Sequence, residues 1–86
     1  MTLEELRFEL EERDFPESTY FVNPDYANAI LGITTEGRVA YSFKKMVEHL
    51  TDEETTEEQA ADLVRYNAVA MLEQMGEFHP TIILDY

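Results

Sequence analysis

The stretch Ala27-Asn28-Ala29-Ile30-Leu31-Gly32-Ile33-Thr34-Thr35-Glu36-Gly37-Arg38-Val39-Ala40-Tyr41-Ser42-Phe43-Lys44-Lys45-Met46-Val47-Glu48-His49-Leu50 carries two structural periods in succession, and the change between them sets the fold. Residues 27–34 and 38–43 read as two strands around Thr35-Glu36-Gly37, with Gly37 supplying the positive φ of a tight hairpin. Val39, Tyr41 and Phe43 alternate onto one face of the second strand. Phe43, Met46, Val47 and Leu50 then recur at i, i+3, i+4 and i+7, so a short helix over about 43–50 leaves the sheet and packs against it.

Working back toward the N-terminus, Asn23-Pro24-Asp25 is a turn, with proline fixing φ and Asn or Asp bonding the local backbone. Segment 2–14 is a helix. Thr2 and Glu5 have the spacing at which each side chain satisfies a free N–H of the first turn. Leu3, Leu6 and Leu10 form its apolar stripe, and Phe15-Pro16 ends it, because proline disfavours helical geometry in the residue before it. Phe8 falls opposite the stripe, where it either packs under a neighbouring loop, the expected arrangement, or stands exposed as an anchor for a partner.

Toward the C-terminus, residues 51–55 are a polar connection, and Thr55 with Glu58 or Thr56 with Gln59 offers a second capping pair. The helix that follows, about 56–75, carries Ala60, Ala61, Val64, Ala68, Met71, Leu72 and Met75 on one broad face, widened by Leu63 and Tyr66, and Gly76 stops it. Thr81-Ile82-Ile83-Leu84 is a β-branched run that reads as a strand buried on both faces and paired centrally with the hairpin. The expected architecture is a single α+β domain over residues 1–86, in the order α-β-β-α-α-β, with a three-stranded sheet against helices.

Composition narrows the function. Hydrophobic residues are 44% of the 86-residue chain, with five Tyr and five Phe, enough for a modest core. There is no cysteine, hence no disulfide or thiolate metal site. The N-terminus is acidic where a signal peptide is basic, and no apolar run approaches a membrane span, so a soluble cytoplasmic protein is the expectation. Nineteen Asp and Glu against six Lys and Arg give a net charge of −13. Such a surface repels nucleic acid and anionic membrane and attracts basic protein surfaces.

A catalytic constellation is not legible. His49 and His79 stand apart, without a cysteine or regularly spaced serine, so an enzyme using either as a general base ranks last among the readings. Asp52-Glu53-Glu54-Thr55-Thr56-Glu57-Glu58 could collect a hard cation, but it lacks the alternating ligands and central glycine of an EF-hand loop. The three glycines cannot build a dinucleotide fingerprint. No catalytic residue, metal ligand or cofactor is expected.

Charge on the helices is more informative. Glu5, Glu9 and Glu12 fall on one line of the first helix, and Glu54, Glu58 and Asp62 fall at i, i+4 and i+8 where the third begins. Carboxylates so placed lie about 5–6 Å apart, comparable with the spacing of about 3.4 Å between phosphates along a DNA strand. Like charges at this spacing cost a helix about a few tenths of a kcal/mol each, and a surface shaped by stability alone mixes signs more evenly. The rows are therefore candidate partner-binding residues, set against the simpler view that the charge serves solubility. Tyr20, Phe21, Tyr26 and Tyr86 could supply aromatic anchors at an interface rim, with core or edge packing the expected role for most of them.

The stretch from Phe21 to Tyr41, with Asn23-Pro24-Asp25-Tyr26 and Gly37-Arg38-Val39, resembles a family of short proteins without assigned activity found in gut-type bacteria, their phages and mobile elements. The likeness continues through Lys45-Met46-Val47-Glu48 and Tyr66-Asn67 to Pro80-Thr81-Ile82-Ile83, and the first helix is the least matched part. It implies context rather than chemistry: small acidic proteins of phages and mobile elements are often inhibitors of host defence nucleases, anti-CRISPR proteins among them. The expectation is a non-enzymatic inhibitor that presents the two acidic rows to the basic groove of a nuclease or other nucleic-acid-binding protein. The alternative is a structural or regulatory module docking through an apolar patch with Phe8 and the tyrosines.

Overall fold

The computed structural model describes residues 1–85. The first helix, α1 (Leu3–Glu12), starts at the predicted capping box, with the Glu5 N–H donating to Thr2 Oγ1 at 3.2 Å and the Thr2 N–H to Glu5 Oε1 at 3.3 Å. It stops earlier than Pro16. Asp14 adopts φ 63°, the Phe15 N–H donates to the Leu10 carbonyl at 2.8 Å and the Asp14 N–H to that of Glu11 at 3.1 Å. This is the left-handed termination usually made with glycine, which a short Asp side chain tolerates.

Residues 27–29 do not join the first strand. Asp25 Oδ1 accepts from the Ala27 N–H at 3.0 Å and Tyr26 has φ 49°, which turns the chain into a short 3-10 segment, Ala27–Ala29. Strand β1 (Ile30–Ile33) therefore begins three residues later than the apolar pattern suggests. It pairs antiparallel with β2 (Val39–Ser42), with an irregularity between Ile30 and Gly32. At the turn, Gly37 has φ 88°, and a Cβ built there would lie 2.6 Å from the Phe15 ring, so both backbone and packing require glycine.

The last strand, β3 (Thr81–Ile83), pairs parallel with β2, giving the sheet order β1-β2-β3. This corrects the sequence expectation. All four residues of β2 are buried, whereas β3 is an edge with Ile83 exposed. Hydrophobicity pointed to the β-branched run, but position in the sheet decides burial, and the small Ala40 and Ser42 let β2 be covered on its second face.

Helix α2 (Phe43–Leu50) follows β2 without a linker. Ser42 Oγ accepts from the Lys45 N–H at 3.1 Å and donates to Asp85, whose other oxygen accepts from the Lys44 N–H at 3.0 Å. One helix N-terminus thus receives caps from the C-terminal ends of the paired strands β2 and β3, through Ser42 and Asp85. Helix α3 (Glu57–Leu63) selects the Thr56/Gln59 capping box, and the helical path continues as a π segment, Val64–Val69, and a 3-10 turn, Leu72–Gln74. Ala60, Val64 and Ala68 are buried as a narrow stripe, and Leu63, Tyr66 and, beyond the π turns, Met71 are exposed where a broad contact face was expected. Gly76 has φ 95° and closes the run.

The core gathers Leu6 and Leu10 of α1, Val39 and Tyr41 of β2, Phe43 and Met46 of α2, and Val64 and Ala68, with Phe21, Tyr26 and Ala29 from the connecting segment. Phe21 meets Tyr41 edge-on with ring centroids 5.0 Å apart, and Tyr26 meets Phe21 at 5.6 Å. The architecture is α+β in the expected order. Among the described residues no helix is long and apolar enough to cross a membrane.

Candidate functional site

The cations decide what the carboxylates can do. Four of the six are arginines, and among the described residues two of these do not meet a carboxylate. Arg7 Nε donates to the Tyr20 hydroxyl at 2.8 Å, tying α1 to the loop that follows it. Arg38 donates to the His79 carbonyl at 2.8 Å, tying the hairpin to the turn before β3. Arg13 pairs with Glu9 at 3.2 Å, and Arg65 pairs with Asp62 at 3.6 Å while its guanidinium lies over the Phe43 ring at 5.4 Å. Among the described residues, then, two of the nineteen acidic side chains sit in ion pairs.

The two predicted rows fare differently. Glu5, Glu9 and Glu12 all lie on α1, with Glu5 turned back to its own helix start, Glu9 paired with Arg13, and Glu12 exposed in the last turn. Glu54 is not on α3. Asp52 Oδ1 accepts from the N–H groups of Glu54 and Thr55, both at 2.8 Å, and this turn ends only at the N-cap Thr56. The i, i+4, i+8 row is thereby reduced on the helix to Glu58 and Asp62, and Asp62 is paired.

Phe8 is 60% exposed, so the expected contact under a loop is not made. Leu6 and Leu10 hold α1 to the core, and Phe8 points away from that stripe. Phe21 and Tyr26 are buried core residues rather than rim anchors, Tyr20 is half-buried on Arg7, and Tyr86 lies outside the described residues.

The histidines have structural neighbours. His49 is exposed, with its ring 5.6 Å from that of Tyr26, and His79 Nδ1 lies 2.8 Å from the Pro80 carbonyl. Among the described residues no group of three or more His, Cys, Asp or Glu is arranged to hold a metal ion. Among the described residues, four groups titrate away from their ordinary range. The hydrogen bond to the Tyr20 hydroxyl raises Arg7, and burial raises Tyr26. Burial pushes the Tyr41 hydroxyl up to about 12, and the Ser42 hydroxyl, then the Lys44 N–H, hold the Asp85 carboxyl below its usual value.

One concave feature joins charge to apolar surface. A groove of about 350 Å³ runs between α2 and the start of α3, floored by Phe43, Val47 and Ala61 and walled by Glu48, Glu57 and Glu58, with Lys44 and Arg65 at its margin. Sequence reasoning did not find it, since Glu48 and Ala61 are far apart along the chain. The signal was the short 51–55 connection, which folds α3 back beside α2. No known family model, curated protein or solved structure matches the chain.

Proposed function

We propose that this protein is a non-enzymatic acidic interaction protein that docks on a basic, nucleic-acid-binding surface of a protein partner and excludes nucleic acid from it. The observation that carries the reading is the allocation of the arginines. Arg7 and Arg38 bond to a phenol and a carbonyl, and among the described residues Glu12, Glu48, Glu57 and Glu58 remain exposed without an ion pair. Unneutralised carboxylates on a small rigid body steer it toward positive surfaces, and the attraction falls as salt screens it. Glu5, Glu9, Glu12, Glu54, Glu58 and Asp62 are the proposed contact residues. An anti-CRISPR-like or other anti-defence role is the narrower form, supported by the resemblance to phage and mobile-element proteins.

The test is capture of the partner from a host lysate at two salt concentrations, with duplex DNA added as competitor. A nucleic-acid-binding protein retained at low salt and released by DNA supports the reading. A partner held equally at both salts and indifferent to DNA contradicts it. The exposure of Phe8 favours a second reading, a regulatory module docking through an apolar anchor. That complex would tolerate salt and be lost on Phe8→Ala.

A further inference from the structure

The geometry points to the groove between α2 and α3 as the seat of one basic anchor residue of the partner protein, a Lys or Arg whose methylene stem lies on Val47 and Ala61 and whose cationic head meets Glu48, Glu57 and Glu58. The inference rests on the acidic-docking reading and locates its centre. Val47 and Ala61 are half-buried, so apolar surface remains open on the floor. Among the described residues, Glu48, Glu57 and Glu58 on the walls enter no ion pair, even though Lys44 lies one helical turn before Glu48.

Lys and Arg are the side chains that combine an apolar stem with a positive end, which matches a floor and wall of these two kinds. The groove already accommodates one cationic side chain at its margin, where the Arg65 guanidinium lies over the Phe43 ring at 5.4 Å. Its volume of about 350 Å³ is ample for one long side chain. The competing occupants are disfavoured: the net charge of −13 opposes an anionic ligand, and no cluster of three acidic or histidine ligands for a metal forms among the described residues.

The probes are two capped pentapeptides, Ala-Ala-Arg-Ala-Ala and its citrulline counterpart, titrated at low salt into the isotopically labelled full chain and followed by NMR, with nona-arginine as a general probe of the acidic surface. The arginine peptide should give saturable shifts at Val47, Glu57, Glu58 and Ala61, and the uncharged citrulline peptide should bind at least about tenfold more weakly. Ala61→Phe, which fills the floor and leaves every charge in place, should remove those shifts. The double variant Glu57→Gln/Glu58→Gln should weaken them and provides the test if Ala61→Phe does not fold. Shifts spread evenly over α1 and α3, or unchanged in both variants, would overturn the anchor site and leave acidic docking standing. A surface that fails to respond even to nona-arginine would overturn both.

Discussion

Strand β2 and helix α1 treat their polar groups in opposite ways. Around β2 the Tyr41 hydroxyl accepts from the Phe21 N–H at 3.1 Å, Ser42 bonds Asp85 and Lys45, and among the described residues no buried side-chain polar atom lacks a partner. On α1, Glu4, Glu11 and Glu12 face water, and Arg13 neutralises Glu9 alone. The difference teaches how the chain uses few donors: they complete the interior and fix the loops, and most carboxylates of the outer helices are left facing water.

The comparison breaks most readily from the inside. Gly37→Ala forces a Cβ against Phe15 in a backbone conformation that L residues rarely adopt, and should cost about 3 kcal/mol in urea unfolding. Tyr41→Phe leaves the Phe21 N–H buried and unpaired, for a loss of about 2 kcal/mol by the same measurement. Tyr41 also sets an alkaline limit. Its folded-state pKa is raised to about 12, so the stability it contributes is complete below the unfolded value near 10 and is lost as pH rises toward 12. In Tyr41→Phe that part of the alkaline loss should disappear from a stability-against-pH curve.

Asp85 is exposed yet bonds Ser42 at the end of β2 and caps α2. Its pKa is lowered in the folded state, so its stabilisation is present above the ordinary carboxylate range and is lost as pH falls through the folded value. Asp85→Asn should therefore lie below the wild type at neutral pH and converge with it in acid. The smallest effect is expected outside. Replacing Glu5, Glu9 and Glu12 by Gln keeps the capping acceptor at position 5 and removes the like-charge line, and should change thermal stability by less than about 0.5 kcal/mol. A large loss there would mean that α1 carries its charge for the fold.

Local rules made much of this legible in the sequence. Both capping boxes, the Gly37 turn, the strand-to-helix switch at Phe43 and the stop at Gly76 follow from backbone groups that need a partner within a few residues. What was not legible depended on distant contacts or on competition between adjacent residues. Thr55 and Thr56 both fit a cap, and choosing Thr56 removes Glu54 from α3. The hydrophobic run at β3 outscored β2, whose burial comes from its central place in the sheet. The π segment has no short-range signature, whereas the exposure of Phe8 follows from its place opposite the α1 stripe and the α2–α3 groove from the short 51–55 connection, a signal that becomes specific only once the chain is folded.

The most direct measurement is the salt dependence of the dissociation constant for the captured partner, compared between wild type and a variant carrying Gln at positions 5, 9, 12, 54 and 58 and Asn at position 62. Wild-type binding should weaken steeply as salt rises, and the neutralised protein should bind more weakly at low salt with a flatter slope. Identical affinities and slopes for the two proteins would contradict the account.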